Sequence, residues 1–392
     1  MSVTAPKGFT ANGIACGIKD SGAPDLSLVA TADGRAVPAA AVFTANLAAA
    51  APVEVSRRHL ATTGGWASAV VVNSGNANAA TGLAGDEHAE RMCALVAGGL
   101  NCGADQVLVC STGLIGIPLP IELVAAGIPG LVGGRATGES AGQAAARAIM
   151  TTDTHPKQVV VPGRGFTVGG MAKGAAMLAP NMATMLALLT IDAVADPLTL
   201  HRALGDAVGR SFNQMSVDGC TSTNDTVTVL ASGAAAVEPP EAELADALWE
   251  ACADLAGQMV ADAEGATRVI RVRVTGAVDQ AEAAAGARKI AQSQLVKCSF
   301  YGQDPYWGRV VSELGSAGIT FQMDRVRIAY GGITVCRGGV EATHPGDRDV
   351  LKAVMAADTV ELVADLGLGT GDASMITCDL GPGYIDENMG TS

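Results

Sequence analysis

Aromatic residues and histidines are scarce in this chain of 392 residues. Phe, Trp and Tyr together make up 3% of the sequence, whereas Gly alone occurs 49 times. A core with few rings must be filled by small and aliphatic side chains, which suits the closely packed layers of an α/β protein. The five histidines are scattered and form no cluster with the spacing of metal ligands, so we expect no bound metal.

Basic charge and long apolar runs are also lacking. The formal net charge is −14, and an acidic surface repels nucleic acids and anionic membranes. No apolar stretch reaches the length of a membrane span without a polar residue or a glycine, and the first residues lack the apolar core of a signal peptide. We expect neither a nucleic acid nor a membrane as a partner. A small anionic molecule remains compatible, because one buried lysine can set the local field.

Closely spaced cysteine pairs are missing too. The chain has nine cysteines, an odd number, and they are scattered without a CxxC motif. This pattern is typical of reduced, mostly buried thiols, and it differs from the framework of a secreted disulfide-rich protein. We therefore expect a cytoplasmic protein.

Strand-like and helix-like segments alternate along the whole chain. Residues 67–75 and 183–193 have the pattern of buried strands, the latter because apolar side chains occupy both faces. Residues 239–265 and 279–296 have helical patterns, and the first of these begins at prolines and ends at a glycine. Interleaved helices and strands predict an α/β protein with layered sheets. Nothing in the composition marks a sharp domain boundary.

The segment LAPNMATMLALLT (178–190) contains a threonine with two interpretations. Thr184 follows the small residue Ala183 and precedes a strand pattern. If Thr184 Oγ1 attacked the carbonyl carbon of Ala183, the chain would cut itself. The new α-amine, with a pKa of roughly 7.7–8.0, would then serve as the base for the threonine's own hydroxyl. On this segment alone, an ordinary strand threonine is the simpler interpretation.

The segment CSTGLIG contains a candidate oxyanion hole. Its Thr112 and Gly113 are predicted in a turn that follows a strand over 105–110. There, a hydroxyl and a backbone N–H could meet a developing negative charge. An ordinary threonine–glycine turn is the alternative interpretation.

Three further segments contain polar residues in unusual surroundings. Lys173, between an apolar stretch and a glycine, could bind a substrate carboxylate or lie in a solvated loop. Glu264 is predicted to be the C-terminal residue of a helix, which is an unfavourable position for an acid and leaves room for a functional reason. Residues 73–82, rich in asparagine and glycine, are interpreted as a capped loop without a chemical role.

Six segments occur in the order found in one enzyme family: CSTGLIG, AIMTTDTHPK, VGGMAKGAAMLAPNMATMLALLTIDA, STNDTV, ADAEGATR and DPYWGR. Their joint order resembles the ornithine acetyltransferase family, also called glutamate N-acetyltransferase or ArgJ, over essentially the whole chain. The resemblance implies a precursor that cleaves itself between Ala183 and Thr184 into an α chain (1–183) and a β chain (184–392), usually assembled as α2β2. It also implies a layered α-β-β-α sandwich of the ArgJ/DmpA-like fold, with an N-terminal nucleophile.

The resemblance implies an acyltransferase that moves an acetyl group from N2-acetyl-L-ornithine to L-glutamate in arginine biosynthesis. Bifunctional members also acetylate glutamate from acetyl-CoA, and no residue of this sequence separates the two types. The expected reaction is ping-pong transfer through acetyl-Thr184, with no metal and no organic cofactor. Two alternatives stay open. One is a self-cleaving amidase or aminopeptidase that uses water as the acceptor, and the other is an uncleaved protein that binds a small molecule.

The family motifs also assign roles to individual residues. Thr184 is the expected nucleophile, and Thr112 and Gly113 form the expected oxyanion hole. The expected substrate-binding residues are Thr151, Thr152, Lys173, Thr184, Glu264, Asn388, Thr391 and Ser392.

Three details of the sequence depart from the family pattern. The ending ENMGTS is one residue shorter after Asn388, so that either of the last two hydroxyl residues could reach the site. Tyr306 stands where asparagine is usual in DPYWGR, and KCSFYG (297–302) replaces a small apolar run. Both replacements are expected to alter local packing or the fit of the substrate.

Overall fold

The structure is a computed structural model, which describes residues 2–179 and 185–390. Four residues of the predicted cleavage and substrate sites lie outside the described residues: Ala183, Thr184, Thr391 and Ser392. Among the residues that are described, no helix combines the length and apolar character needed to cross a membrane.

The secondary structure alternates as the sequence predicts. The strands are β1 (Phe9–Ile14), β2 (Leu26–Thr31), β3 (Val37–Phe43), β4 (Trp66–Ala67), β5 (Ala69–Asn76), β6 (Val107–Leu114), β7 (Lys157–Pro162), β8 (Thr167–Lys173), β9 (Leu186–Ile191), β10 (Met215–Ser216), β11 (Thr226–Ala231), β12 (Val269–Ala277), β13 (Arg327–Tyr330), β14 (Ile333–Arg337), β15 (Val340–Glu341), β16 (Thr359–Asp365) and β17 (Gly371–Cys378). The helices are α1 (Ala51–Thr63), α2 (Gly82–Leu100), α3 (Ile121–Gly133), α4 (Glu139–Ala148), α5 (Pro197–Gly209), α6 (Glu241–Ala261), α7 (Gln280–Gln292), α8 (Gln294–Tyr301), α9 (Trp307–Gly315), α10 (Asp347–Met355) and α11 (Pro382–Glu387).

The chain divides into two compact units. The first comprises Met1–Asn213 and Cys220–Met259, and the second comprises Gln214–Gly219 and Val260–Ser392. The predicted α and β chains are the products of a cleavage, which is a different division of the chain. They therefore stay a prediction.

The first unit contains two sheets that pack face to face. One has four strands in the order β1-β2-β5-β6, and the other has six in the order β4-β3-β11-β9-β8-β7. In β5, Val70 and Val72 lie in the core between the sheets, whereas Ala69 and Val71 pack towards helices. A strand covered on both faces needs apolar residues at consecutive positions, which explains the run of valines.

Helices cover the outer faces of both sheets of this unit. Side chains of α1, α2 and α3 share a core with the outer face of the four-stranded sheet. On the other side, α5 packs against β3. The helix α6 is hydrogen-bonded to the edge strand β7 by Gln258, whose Nε2 lies 3.0 Å from the carbonyl oxygen of Gln158. The layers therefore run α-β-β-α, as the family resemblance implied.

The second unit has a single mixed sheet of seven strands, in the order β10-β17-β12-β16-β13-β14-β15. Helix α7 packs on β12 and β17, and α8 adds Phe300 to the core beneath. The ring of Phe300 lies 5.8 Å from the ring of Tyr330, in a tilted arrangement. The departure KCSFYG (297–302) therefore supplies a core side chain of this unit.

Candidate functional site

Thr112 and Gly113 lie near the end of β6, where its parallel pairing with β5 becomes irregular. Gly113 is opposite Gly75 in the register, and its φ is 132°. A Cβ atom added to Gly113 would lie 2.3 Å from the carbonyl carbon of Gly75, so only glycine fits. The predicted turn is wrong because β6 continues to Leu114. The close pairing of the two glycines, and not a turn, shapes the backbone here.

The ammonium group of Lys173 lies beside the hydroxyl of Thr112. Lys173 is the last residue of β8 and is only 8% exposed, and its Nζ donates a hydrogen bond of 3.0 Å to Thr112 Oγ1. The interpretation as a solvated loop lysine is therefore wrong. An ammonium can only donate, so Thr112 accepts this bond and its own O–H can donate to another acceptor. A hydroxyl donor and a positive charge thus meet at one point, as stabilisation of an oxyanion requires.

The carboxylate of Asp153 joins the segment containing Thr151 to the turn after β8. Asp153 Oδ2 accepts from the backbone N–H of Thr151 at 3.0 Å. Its Oδ1 accepts from Lys157 Nζ at 2.6 Å and from the N–H of Gly174 at 2.7 Å. Burial alone would raise the pKa of Asp153, but the charges of Lys173 and Lys157 and these hydrogen bonds outweigh it and lower the pKa to about 2. The group is therefore a permanent anion near neutral pH.

A second lysine, Lys19, lies close to this network and was missed in the sequence. Its Nζ donates to the carbonyl oxygens of Met150, at 2.7 Å, and Pro24, at 2.8 Å. Burial is the main reason that the pKa of Lys19 is lowered; Asp25 opposes this effect, and the charge of Lys173 adds to it. No motif marks Lys19, because its contact with Met150 and its interactions with Asp153 and Lys173 join distant parts of the chain.

Asparagines fix the backbone that leads into Thr112. The amide of Asn224 donates to the carbonyl oxygens of Ala77, at 2.6 Å, and Ser111, at 2.9 Å. The hydroxyl of Ser111 donates to Asn73 Oδ1 at 2.5 Å. The asparagine-rich segment 73–82 and the STNDTV motif therefore support the end of β6. Sequence reasoning assigned no such role to either segment.

Within the second unit, Glu264 and Asn388 lie together. Asn388 Nδ2 donates to Glu264 Oε2 at 2.7 Å, and the Glu264 side chain is buried. The prediction that Glu264 belongs to a helix C-terminus is wrong, because α6 ends at Ala261 and Glu264 lies in the following turn. Gly265 has a φ of 64°, and a Cβ there would lie 2.1 Å from the backbone nitrogen of Tyr384. The turn therefore lies directly against α11.

The remaining sequence candidates differ in their surroundings. Thr151 is partly buried and held by Asp153, whereas Thr152 is exposed. Tyr306 is also exposed, at the start of α9, while Lys297 is buried in α8 and donates to the carbonyl oxygen of Val217. The expected effect of both departures on the fit of the substrate stays a prediction.

Cysteine is not a candidate nucleophile beside Thr112. Burial raises the pKa of Cys110, on the same strand, to about 12, so the thiol stays protonated and unreactive. All nine cysteines are free. Within residues 2–179 and 185–390, no group of three or more His, Cys, Asp or Glu side chains is arranged to hold a metal ion.

A family model matches nearly the whole chain, and curated relatives match all of it. The family model described as the ArgJ family matches residues 10–390. The arginine biosynthesis bifunctional protein ArgJ of Mycobacterium leprae is 48% identical over 398 residues, which span all of this chain and 96% of that protein. The protein of the same name from Thermobifida fusca is 46% identical over 392 residues, with both chains covered completely.

One protein of known structure has a sequence about as similar to this chain as those of the two relatives. The ornithine acetyltransferase of Mycobacterium tuberculosis, crystallised with ornithine, is 47% identical. The match covers 46% of this chain and 96% of that chain, with a TM-score of 0.44. The match to the family model and the two full-length relatives show that this chain belongs to the ArgJ family and is an acyltransferase of arginine biosynthesis.

Proposed function

We propose that this enzyme transfers the acetyl group of N2-acetyl-L-ornithine to L-glutamate through a covalent acetyl-threonine intermediate at Thr184. The observation that carries the proposal is the contact of Lys173 Nζ with Thr112 Oγ1, next to the glycine pair at the end of β6. Lys173 is directly opposite Leu186 in the β8–β9 register, and Thr184 precedes Leu186 by two residues in the chain. The strand β9, which follows the proposed nucleophile in the sequence, therefore pairs with the strand that carries Lys173.

The first step of the proposal is self-cleavage of the precursor between Ala183 and Thr184. Thr184 Oγ1 attacks the carbonyl carbon of Ala183, and water hydrolyses the resulting ester to leave an α chain (1–183) and a β chain (184–392). The α-amine released on Thr184 has an ordinary pKa of roughly 7.7–8.0, so a useful fraction is neutral near pH 7. That amine then takes the proton of the threonine hydroxyl, and no histidine is needed.

The second step is acyl transfer in two halves. Thr184 Oγ1 attacks the acetyl carbonyl of the donor, the hydroxyl of Thr112 and the N–H of Gly113 donate to the oxyanion, and ornithine leaves with a proton. The amine of glutamate then attacks the ester and regenerates the threonine. Because Lys173 already donates to Thr112 Oγ1, the threonine hydrogen is directed elsewhere, and the nearby charge strengthens it as a donor.

The third element is recognition of an amino acid. Lys173 is suited to the α-carboxylate that ornithine and glutamate share, and Thr151, held by Asp153, or its neighbour Thr152 supplies a hydroxyl. Glu264 is suited to an ammonium group of the donor and is oriented by Asn388, with Thr391 or Ser392 as the terminal hydroxyl. The remaining parts of the proposal are an α2β2 assembly, acetyl-CoA as a second donor, and a cytoplasmic location.

The nucleophile is tested by two substitutions at one position. Thr184→Ala removes the hydroxyl and should abolish both cleavage and transfer, whereas Thr184→Ser keeps a hydroxyl and should retain part of both. Cleavage is measured by denaturing electrophoresis and transfer by acetylglutamate formation. Substantial transfer by the Thr184→Ala enzyme would contradict the proposal.

The acceptor is tested by the products of the wild-type enzyme. If glutamate is the acceptor, acetylglutamate forms in proportion to the ornithine released, and little free acetate appears. The aminopeptidase-like alternative predicts acetate instead, because water then takes the acyl group. Initial-rate patterns with both substrates varied should be parallel, as a ping-pong reaction requires.

A further inference from the structure

A single buried carboxylate connects the proposed substrate-binding residues of the first unit. We propose that Asp153 is a positioning residue that holds Lys173 and the Thr151–Thr152 segment in the geometry that binds the α-carboxylate of the amino-acid substrates. This inference rests on the proposed function, because it concerns the same site. It assigns a role to a residue that the family motifs, as applied to this sequence, left without one.

The first support is the way Asp153 ties two distant segments together. Its Oδ2 holds the backbone of Thr151, while its Oδ1 holds the backbone N–H of Gly174, the residue after Lys173. Gly174 has a φ of 152°, and a Cβ there would lie 2.9 Å from Leu178, so the turn is tightly packed. One carboxylate thus fixes the backbone on both sides of the proposed carboxylate site.

The second support is the balance of charge around Asp153. Lys157 Nζ lies 2.6 Å from Asp153 Oδ1, and neither side chain is exposed to solvent. Lys173 lowers the pKa of Asp153, and Lys19 interacts electrostatically with both Asp153 and Lys173. A buried ammonium group needs an anion nearby, and Asp153 is close enough to act as the counterion of all three lysines.

The other carboxylate of this region is already occupied. Asp25 accepts hydrogen bonds of 2.6–3.1 Å from the backbone N–H groups of four consecutive residues, Cys16, Gly17, Ile18 and Lys19. The Asp25 carboxylate is therefore bound by backbone donors, whereas the Asp153 carboxylate is bound by the ammonium group of Lys157. The lysine charges around Asp153 would attract an incoming carboxylate.

The main test replaces the charge but keeps the shape. Asp153→Asn retains an oxygen that can accept from Gly174 but removes the anion. Loss of that anion favours the neutral form of Lys173. The alkaline limit of substrate binding, which is the pH above which the enzyme no longer binds its substrates well, should therefore move to lower pH. We expect the KM values for acetylornithine and glutamate to rise by about tenfold, because an electrostatic interaction that shifts a pKa by one changes binding by that factor. The fall in kcat should be smaller.

Two further variants keep the test decisive if Asp153→Asn does not fold. In Asp153→Asn/Lys157→Met, both members of the buried pair are neutral, so no unpaired ammonium remains in the core, and the same rise in KM is expected. Lys19→Met removes a positive neighbour of Lys173 from a half-buried position, and should move the alkaline limit to higher pH. The matched control is Asp192→Asn, a buried aspartate that binds the backbone N–H of Thr167 at the opposite end of β8.

The outcomes separate this inference from the proposed function. A wild-type enzyme that transfers no acetyl group to glutamate would refute the function. If the wild type is active but a folded variant lacking the Asp153 charge keeps wild-type KM values and pH dependence, Asp153 has only a structural role and the inference is wrong. If no such variant folds, an unchanged pH limit in Lys19→Met overturns it, and a shift to higher pH supports it.

Discussion

Replacing Gly113 by alanine tests the proposed oxyanion hole with the smallest possible change. The added Cβ would lie 2.3 Å from the carbonyl carbon of Gly75, 2.5 Å from the nitrogen of Asn76 and 2.7 Å from the oxygen of Gly75. Every one of these neighbours is a backbone atom, so none can move aside as a flexible side chain would. The φ of 132° is also one that alanine rarely adopts.

The expected effect on catalysis follows from this displacement. The backbone near Gly113 must move, and with it the N–H that we propose as an oxyanion donor. Loss of one such donor typically lowers kcat by about 10²–10³-fold. The backbone strain itself should cost on the order of 1–3 kcal/mol of stability, which a folded enzyme can tolerate.

The control is Gly116→Ala, three residues further along the chain. Gly116 also has a positive φ, 82°, but an added Cβ would meet no atom within 4 Å. Both variants are assayed for acetylglutamate formation at saturating substrates, and for folding by thermal unfolding. We expect a large loss of kcat in Gly113→Ala and nearly wild-type kcat in Gly116→Ala. If Gly113→Ala is folded and its kcat stays within about threefold of the wild-type value, the N–H of Gly113 is not an oxyanion donor.

Three other predictions concern separate parts of the structure. Asn388→Ala removes the amide that donates to Glu264. The KM for acetylornithine should therefore rise by about five- to tenfold, with little change in melting temperature. An unchanged KM would contradict the role of Asn388. The ring of Phe300 is buried against Tyr330. Phe300→Ala should therefore lower the free energy of unfolding, measured by urea titration, by about 3–5 kcal/mol. A loss below about 1 kcal/mol would show that this packing is unimportant. The depressed pKa of Asp153, about 2, adds stability that is complete above the unfolded value of roughly 3.9 and is lost as the pH falls through about 2. The urea midpoints of the wild type and Asp153→Asn should therefore differ most above pH 4 and converge towards pH 2, and a constant difference would contradict this linkage.

The layered fold could be predicted because its signals are local. The segment 183–193 has apolar residues on both faces, and all six residues of β9 within it are buried in the structure. Helix α6 was predicted within a few residues of its observed ends. Such patterns depend only on which side chains face the core. The spacing of apolar residues along the sequence shows this directly.

Element boundaries were harder to predict where the apolar pattern continues through a break. The helical pattern over 279–296 is two helices, because Ser293 ends α7 and caps α8 with its own side chain. The strand before Thr112 continues through the predicted turn, because the pairing of Gly113 with Gly75 extends the sheet. A local helix cap decides the first boundary and a long-range strand pairing decides the second, and the apolar pattern alone shows neither.

The candidate site could be predicted only for residues that lie in recognisable motifs. Thr112, Lys173 and Glu264 were found in this way, and the structure gives the first two a shared hydrogen bond. Lys19 lies in none of these motifs, and Asp153 lies in AIMTTDTHPK without an assigned role. Their roles depend on contacts with Met150 and Gly174, which are far from them in the sequence. The charge network around Lys173 therefore emerges only from the folded chain.

The central claim is that Thr184 becomes an N-terminal nucleophile, and the intact mass of the purified protein under denaturing conditions tests it most directly. We expect two chains, and N-terminal sequencing should show that one of them begins Thr-Met-Leu-Ala-Leu, from Thr184. A single uncut chain that still forms acetylglutamate would contradict the claim, because the α-amine of Thr184 would then be locked in a peptide bond and could not act as the base.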